Sequence, residues 1–276
     1  MATSTILCLG DSHTRGFYGS DWVSMLQREL GQGTTLVRRG VDGQLARNIA
    51  ARTARGVADA NATAPLSSVI LFCGTNDTLA ASSTDWQTLH ERTTKFIEPG
   101  APRCSPDTFE ASVRKALIEI AAANKNAALL PVALVTLPPL DEHDLAGAPI
   151  NALVREHNAR LVKLAAEDPG SVTLIDLYAL LERALQSDPP PPARRAAPPL
   201  PATESHAPKQ MVRKGMVALA RRWLLRQKWD KIADADGGRY LTDRIHLSDR
   251  AGSVLAAAVK PWAVQVVEQA ARTARE

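Results

Sequence analysis

A serine follows the first apolar run of the chain at a position suited to a nucleophile. Residues 5–9 are mostly aliphatic, and Gly10-Asp11-Ser12-His13 comes directly after them. A serine at the turn after a buried strand presents its hydroxyl at the carboxyl edge of a sheet, and its own backbone N–H can point at a developing oxyanion. The same serine could instead cap the helix that follows. The tripeptide alone therefore leaves a nucleophile and a helix cap as alternatives.

An aspartate and a histidine near the other end of the chain could activate such a serine. Asp243-Arg244-Ile245-His246 lies just before the last helical pattern of the sequence. A general base accepts the serine proton through one imidazole nitrogen while a carboxylate orients the other nitrogen, and Asp-x-x-His on a loop can supply both groups. A lone histidine is more often structural, but this spacing and position favour catalysis. We therefore predict that Ser12, Asp243 and His246 converge.

Two further stretches could stabilise the oxyanion of such a reaction. Gly74-Thr75-Asn76-Asp77 follows the third apolar run, and the side-chain amide of Asn76 can donate to an oxyanion. Gly40-Val41-Asp42-Gly43-Gln44 follows the second run, where the backbone at a glycine can approach a substrate closely. Each stretch taken alone could equally be a turn.

These four stretches occur in the order of the sequence blocks of the SGNH, or GDSL, hydrolase family, which the chain resembles. The family letters S, G, N and H fall on Ser12, Gly43, Asn76 and His246. The resemblance spans nearly the whole chain, apart from a proline-rich and basic stretch. It implies a three-layer α/β/α sandwich with a five-stranded parallel sheet, similar to flavodoxin. It also implies hydrolysis of carboxylic esters, including acetyl, aryl and lipid esters and thioesters.

The resemblance further implies a role for each matching residue. Ser12 would attack the ester, His246 would take its proton and return it to the leaving alcohol, and Asp243 would hold His246. The backbone N–H groups of Ser12 and Gly43 and the side chain of Asn76 would form the oxyanion hole. No metal or organic cofactor is implied.

Two departures from the family pattern leave alternatives open. Family members often carry Asn shortly before the glycine block, where this chain has Arg38-Arg39. Gly40 therefore remains an alternative to Gly43. His13 directly follows the proposed nucleophile, and we expect it to contact the substrate or to lie at the surface.

The elements that must position these residues follow from the apolar pattern. Short aliphatic runs predict five buried strands, at residues 5–9, 35–37, 68–73, 129–136 and 172–175. Helical patterns between them predict a parallel sheet with helices on both faces, whose reactive groups lie at the carboxyl ends of the strands. The length of 276 residues favours a single domain over two small ones.

Apolar residues spaced by about four predict the buried helix faces, and Ser248 is the expected N-cap of the last helix. The predicted core positions are Trp22, Leu26, Leu30, Val113, Leu117, Ala121, Leu161, Ala165, Leu255, Val259, Trp262 and Val266.

The composition is that of a globular protein, with 45% hydrophobic and 22% charged residues. The first residues form no basic, apolar leader and no apolar run is long enough to span a membrane, so we expect a cytoplasmic location. Three cysteines, Cys8, Cys73 and Cys104, show no metal-ligand spacing, and we expect Cys8 and Cys73 to be buried.

The net charge of +4 is concentrated in one segment. Residues 209–231 hold eight Lys and Arg against one Asp, an excess of seven, so the remainder carries about −3. General basicity is therefore no argument for nucleic-acid binding, which ranks last among the interpretations.

Residues 189–231 are predicted to be an insertion in the catalytic domain. Eight prolines in 189–208 predict an extended linker or loop. Residues 209–231 predict an amphipathic helix with one apolar and one basic stripe. We expect the apolar stripe to pack on the domain; a lid over the pocket and a surface for anionic lipid are the alternatives. The apolar stripe is Val212, Met216, Leu219 and Trp223, and the basic stripe is Lys214, Arg221 and Lys228.

Several residues are of types that often bind metals in other proteins, but we predict no metal site for them. Asp141-Glu142-His143-Asp144 is predicted to be a solvated loop rather than a metal site. His90, His157 and His206 are predicted to be structural or surface residues.

Other functions remain open at this point. An acyltransferase or a thioesterase could use the same site, because the sequence does not separate water from an alcohol as the acceptor. A non-catalytic binding module and a flavodoxin-like nucleotide binder are further alternatives. The chain lacks the glycine-rich phosphate motifs of nucleotide binders, which disfavours the last of these.

Overall fold

A computed structural model describes residues 4–98, 100–123, 130–189 and 207–273. In these ranges five strands form one parallel sheet in the order β2-β1-β3-β4-β5. The fourth strand begins only after Pro131, which has no N–H to donate to the sheet, and it ends one residue before the predicted end. The strands are β1 Ser4–Gly10, β2 Thr34–Gly40, β3 Leu66–Phe72, β4 Val132–Val135 and β5 Val172–Ile175.

Helices connect and flank the strands. The α-helices of the described ranges are α1 Ser12–Arg15, α2 Trp22–Leu30, α3 Ala46–Thr63, α4 Thr75–Ser82, α5 Thr84–Leu89, α6 Pro106–Ala123, α7 Pro149–Glu167, α8 Leu177–Ser187, α9 Pro208–Trp223, α10 Trp229–Ala235 and α11 Asp249–Thr273. A π-helical turn, His90–Thr94, continues α5. None of these helices is long and apolar enough to cross a membrane.

Two apolar clusters cover the two faces of the sheet, because successive residues of a strand point to opposite faces. Ile6 and Ile70 lie in the cluster that includes residues of α2, α8 and α11. Leu7 and Leu71 lie in the other cluster, with residues of α3, α6 and α7. The predicted three-layer α/β/α architecture is thereby confirmed.

Most of the predicted helical core positions are buried, and the exceptions have a geometric cause. Residues spaced by four drift about 40° around a helix at each step, since one turn takes 3.6 residues. Along α6, Val113 is accordingly buried, Leu117 is partly buried and Ala121 is exposed. Ser248 caps α11 as expected, because its hydroxyl accepts the N–H of Ala251 at 3.4 Å.

The predicted helix over 209–231 is wrong in both extent and orientation. Two helices, α9 and α10, cover this stretch, and a turn at 224–228 separates them. The stripe predicted to be buried is largely solvent-exposed, at 53% for Val212, 62% for Met216 and 57% for Trp223. Only Leu219 of that stripe is partly buried.

A different side of α9 is buried. Met211, Gly215 and Ala218 form the buried side, and Gly215 lies beside Asp243, since a Cβ on this glycine would be in ordinary contact with Asp243 Oδ2 at 3.6 Å. The predicted basic stripe is not one free face either, because Lys214 Nζ lies 2.6 Å from Asp236 Oδ2 and Lys228 belongs to the turn before α10.

Residues 190–206 of the predicted insertion, including His206, lie outside the described residues, so the bounds of the insertion remain a prediction. Cys8, Cys73 and Cys104 are buried free cysteines.

Candidate active site

Ser12 is the first residue of α1, at the carboxyl end of β1. Asp11 is the residue that caps this helix, because its side chain accepts the backbone N–H of His13 at 3.0 Å. The capping interpretation of the serine is therefore unnecessary. The backbone N–H of a residue at the first helical position has no partner within the helix, and this leaves that of Ser12 free to bind an oxyanion.

Ser12, His246 and Asp243 form one hydrogen-bonded chain. Ser12 Oγ lies 3.0 Å from His246 Nε2, and His246 Nδ1 lies 2.8 Å from Asp243 Oδ2. The second carboxylate oxygen of Asp243 accepts the backbone N–H groups of Ile245 at 3.1 Å and His246 at 2.8 Å. The structure thus brings together the three residues that the sequence predicted to converge, and the short loop fixes Asp243 against the imidazole.

Within this hydrogen-bonded chain, Asp243 and His246 each stabilise the charged form of the other. Burial disfavours the charged form of His246, but the Asp243 carboxylate outweighs burial and raises the pKa of His246 above its usual range. Burial likewise opposes ionisation of Asp243, yet the His246 imidazole and the two backbone N–H groups lower the pKa of Asp243 below its usual range. A proton that leaves Ser12 would therefore be stabilised on His246.

Gly43, and not Gly40, lies at the cavity beside Ser12. Gly43 has a φ of 74°, a left-handed conformation that favours glycine. Gly40 serves packing instead, since a Cβ there would meet the backbone nitrogen of Arg15 at 2.2 Å. This placement supports Gly43 as the glycine of the predicted oxyanion hole.

Asn76 faces the same cavity from the start of α4. Its Nδ2 donates to the backbone oxygen of Gln44 at 3.0 Å, directly after Gly43. A side-chain amide carries two N–H donors, so a second one remains for a substrate oxygen.

Asp77 helps to hold the segment that contains Gly43 beside Asn76, a role that the sequence did not reveal. Its Oδ2 accepts the backbone N–H of Ala46 at 2.9 Å, at the start of α3. Burial raises the pKa of Asp77 to about 6. Asn76 and Asp77 together tie the first turn of α4 to residues 44–46, and this holds the Gly43 turn beside Ser12.

The cavity beside Ser12 has a volume of about 290 Å³. One wall comes from α5 and the π-helical turn, and another from α9. The α9 wall is apolar, whereas most of the remaining lining residues are polar and come from elements far apart in the sequence. The lining residues are Ser12, Tyr18, Asp42, Gly43, Asn76, Leu79, Trp86, Leu89, His90, Thr94, Met211, Val212, Gly215, Met216, Asp243, Ile245 and His246.

Two histidines differ from the sequence interpretation. His90 is buried and lines the cavity, with its ring 6.2 Å from that of Trp86, and burial lowers its pKa to about 4. His13 neither lines the cavity nor lies at the surface. It is buried between the rings of Phe72 and His246, at 5.0 and 5.6 Å, and burial lowers its pKa to about 3. His157 is structural as predicted: its Nδ1 lies 2.8 Å from the oxygen of Leu153.

Aromatic residues after α1 extend from the catalytic histidine toward the surface. The ring of Tyr18 stacks on that of His246 at 5.3 Å, and Phe17 meets Tyr18 edge-on at 5.2 Å. Phe17 in turn stacks on Trp223 at 5.8 Å. Nothing in the sequence pattern linked residues 17 and 18 to α9, because the contact depends on the tertiary fold.

The loop at 141–144 is only partly solvated, contrary to prediction. Glu142 is buried, and its carboxylate accepts the backbone N–H groups of Arg239 and Tyr240, with the latter at 2.8 Å. Glu142 thereby anchors the segment that leads to Asp243. Within the described ranges no group of three or more His, Cys, Asp or Glu residues is placed to hold a metal ion.

Several solved structures share the fold of this chain. An α/β hydrolase enzyme from the metagenome of Lake Arreo, Spain, is 16% identical over 97% of both chains, with a TM-score of 0.55. The lipase/acylhydrolase from Enterococcus faecalis is 17% identical over 98% of this chain and 97% of its own, with a TM-score of 0.55. A variant of an acetyl-xylooligosaccharide esterase from Geobacillus is 17% identical over 96% of this chain and 94% of its own, with a TM-score of 0.54.

No curated protein sequence matches the chain. The sequence pattern of the GDSL-like Lipase/Acylhydrolase family, in contrast, matches residues 8–251. This match covers most of the chain and includes the serine, glycine, asparagine and Asp-x-x-His positions described above. The chain therefore belongs to the GDSL-like lipase/acylhydrolase family.

Proposed function

We propose that this protein is a serine esterase that hydrolyses carboxylic esters through an acyl-enzyme intermediate. The observation that carries the proposal is the hydrogen-bonded chain from Asp243 through His246 to Ser12, at the wall of an apolar cavity. Membership of an acylhydrolase family supports ester hydrolysis as the reaction class.

In the first half of the reaction Ser12 Oγ attacks the carbonyl carbon of the ester. His246 Nε2 accepts the hydroxyl proton as the new C–O bond forms, and Asp243 stabilises the resulting imidazolium. When the tetrahedral intermediate collapses, the bond to the leaving alcohol breaks and His246 returns the proton to that alcohol. Ser12 is left acylated.

In the second half a water molecule takes the place of the alcohol. His246 accepts a proton from the water as its oxygen attacks the acyl carbon, and it then protonates Ser12 Oγ as the carboxylic acid leaves. Both halves use the same donors for the negative oxygen of the intermediate: the backbone N–H groups of Ser12 and Gly43 and the side-chain N–H of Asn76. Fixed donors of this kind act where charge develops, so they stabilise the transition state more than the bound ester.

The cavity favours an acyl group of limited size. Its volume of about 290 Å³ lies at the lower end of small-molecule pockets, which range from about 300 to about 1,000 Å³. Its walls include Leu79, Trp86, Leu89 and Met211, which offer no charge to a bound group. We therefore expect short and medium aliphatic acyl groups to be preferred over long ones.

A series of p-nitrophenyl esters of increasing acyl length tests the proposal. The wild-type protein should release p-nitrophenol and show an optimum within the series. Ser12→Ala should lose this activity by roughly 10⁴-fold or more, because the variant lacks the Oγ that attacks the ester and carries the acyl group.

Ser253→Ala provides a matched control, since Ser253 is exposed on α11 and its hydroxyl bonds only within that helix and near Met25. This variant should hydrolyse the series like the wild type. Hydrolysis that survives in Ser12→Ala at the wild-type rate would exclude Ser12 as the nucleophile.

A further inference from the structure

An exposed apolar surface borders the cavity on one side. We call it the apolar crest and define it as Phe17, Val212, Met216, Trp223, Leu224 and Leu225. These are six of the eleven large hydrophobic residues that are exposed in the described ranges. Single exposed hydrophobics are normal, but a contiguous patch marks an interaction surface.

Helix geometry, a ring contact and chain continuity join the residues of the crest. At 100° per residue, Val212, Met216 and Trp223 fall within about 40° of one another around α9. Phe17 stacks on Trp223 at 5.8 Å, so the turn after α1 joins the same surface. Leu224 and Leu225 project from the turn after α9, with 80% and 65% of their surfaces exposed.

The crest leads directly into the cavity. Val212 and Met216 belong both to the crest and to the cavity lining. A molecule seated on the crest would therefore meet the entrance to the site that contains Ser12.

Positive charges predominate around the crest, although Asp21 and Asp249 line a depression beside Trp223 together with Arg222. Residues 207–228 contain seven Lys and Arg and no Asp or Glu. Lys214 is paired with Asp236, whereas Lys209, Arg213 and Arg226 are exposed and take part in none of the ion pairs between described residues. The nearby acids of α10 do not neutralise them, since Asp234 binds Arg239 and Arg250, at 3.1 and 2.9 Å.

We propose that the apolar crest and its flanking cations bind the surface of an anionic lipid assembly and thereby deliver esters dissolved in that surface, with the short and medium acyl groups that the cavity favours, to Ser12. Aliphatic and aromatic side chains enter the acyl boundary of such a surface while Lys and Arg bind its anionic headgroups. A second copy of the chain is a poorer occupant, because two such faces would bring the exposed cations Lys209, Arg213 and Arg226 of one copy against those of the other. Binding stands on the crest alone; delivery of esters rests on the function proposed above.

Sedimentation with lipid vesicles tests binding separately from catalysis. The full-length Ser12→Ala protein is mixed with vesicles of phosphatidylcholine, with or without phosphatidylglycerol, so that no lipid is consumed. We expect binding to the vesicles that contain phosphatidylglycerol and weaker binding as salt is added, because salt screens exposed charges.

Two pairs of variants assign the binding to the crest. Leu224→Asp with Leu225→Asp should weaken binding by about tenfold or more, since both side chains lose their apolar contact with lipid. Arg213→Glu with Arg226→Glu should weaken it by about thirtyfold or more at low salt. Ile118→Asp and Lys115→Glu are the matched controls, because both residues are exposed on α6, outside the crest, and both should bind like the parent protein.

Several outcomes would overturn the proposal. Binding that is equally strong with and without phosphatidylglycerol would exclude the crest as an anionic-lipid surface. So would a loss of binding in the α6 controls as large as the loss in the crest variants. The oligomeric state without lipid is a further readout. If the parent protein is a dimer, the leucine variant is a monomer and both bind vesicles equally, the crest is assigned to a second copy of the chain. When Leu224→Asp and Leu225→Asp are introduced into the protein that retains Ser12, hydrolysis of p-nitrophenyl acetate should stay unchanged. If even the wild type lacks that hydrolysis, the proposed function fails while the vesicle result still decides the lipid proposal.

Discussion

His246 Nδ1 lies 2.8 Å from Asp243 Oδ2, in a loop where the same carboxylate also accepts two backbone N–H groups. The carboxylate therefore cannot turn away from the imidazole without losing those bonds. This relationship orients the imidazole with Nε2 toward Ser12, and it raises the pKa of His246 above its usual range despite burial.

Replacing that carboxylate should change the pH dependence of the reaction. The base must be neutral, so activity should fall as the pH drops through the pKa of His246. Asp243→Asn removes the charge that raises this pKa and leaves burial, which lowers it. The acid limb of kcat/KM should therefore move to lower pH, and kcat should fall by about 10⁴-fold, as expected when the imidazole loses its orienting carboxylate. An acid limb that stays at the same pH would contradict the role assigned to Asp243. Asp42→Asn is the control: Asp42 has no hydrogen bond to His246, so this change should move the acid limb less.

Asn76 should contribute to turnover more than to binding. Asn76→Ala should lower kcat by roughly 10²- to 10³-fold and leave KM nearly unchanged. The reason is that the oxyanion develops in the transition state and the tetrahedral intermediate and is not present in the bound ester. Steady-state kinetics on a p-nitrophenyl ester, together with a thermal unfolding curve, would check this. A variant that unfolds at a lower temperature but keeps a normal kcat would restrict Asn76 to its bond with Gln44.

Glu142 should matter for stability although it lies outside the cavity. Glu142→Ala leaves the N–H groups of Arg239 and Tyr240 without their acceptor, at a cost of about 1–3 kcal/mol for each buried group. Urea unfolding should therefore show a loss of a few kcal/mol. His143→Ala, an exposed neighbour in the same loop, should stay within about 0.5 kcal/mol of the wild type. Equal effects of the two changes would count against the anchoring role.

Two tryptophans of the 209–231 stretch should differ sharply in stability. Trp223 is exposed and mainly stacks on Phe17, so Trp223→Ala should cost about 0.5–1.5 kcal/mol. Trp229 is buried at the start of α10, and Trp229→Ala should cost about 3–5 kcal/mol. A large loss at Trp223, measured by the same urea unfolding, would restore the interpretation in which its side of α9 packs on the domain.

The strands and the polar groups at their ends could be predicted because they depend on local patterns. A short aliphatic run followed by Gly10-Asp11-Ser12 or Gly74-Thr75-Asn76 already defines a strand, its end and the edge of the sheet that it faces. The order of the four stretches then placed Asp243 and His246 beside Ser12 without any knowledge of the loops between them.

The orientation of α9 and the partners of Glu142 could not be predicted in this way. Apolar periodicity assigns the most hydrophobic side of a helix to the core, whereas α9 buries Met211, Gly215 and Ala218. Which side of α9 meets the domain depends on tertiary contacts that periodicity does not show. Glu142 stands among charged neighbours that suggest a solvated loop, and only the fold brings it to the backbone of residues 239 and 240. His90 reaches the cavity through a π-helical turn, which has no clear sequence signal.

The most direct test of the account is a double-mutant comparison of Ser12→Ala and His246→Ala in the hydrolysis of a p-nitrophenyl ester. Each single change should lower kcat by roughly 10⁴-fold or more, and the double variant should lose little beyond the more impaired single variant, because the two groups transfer one proton as a unit. Losses that multiply in the double variant would show that Ser12 and His246 act independently, and this would contradict the proposed mechanism.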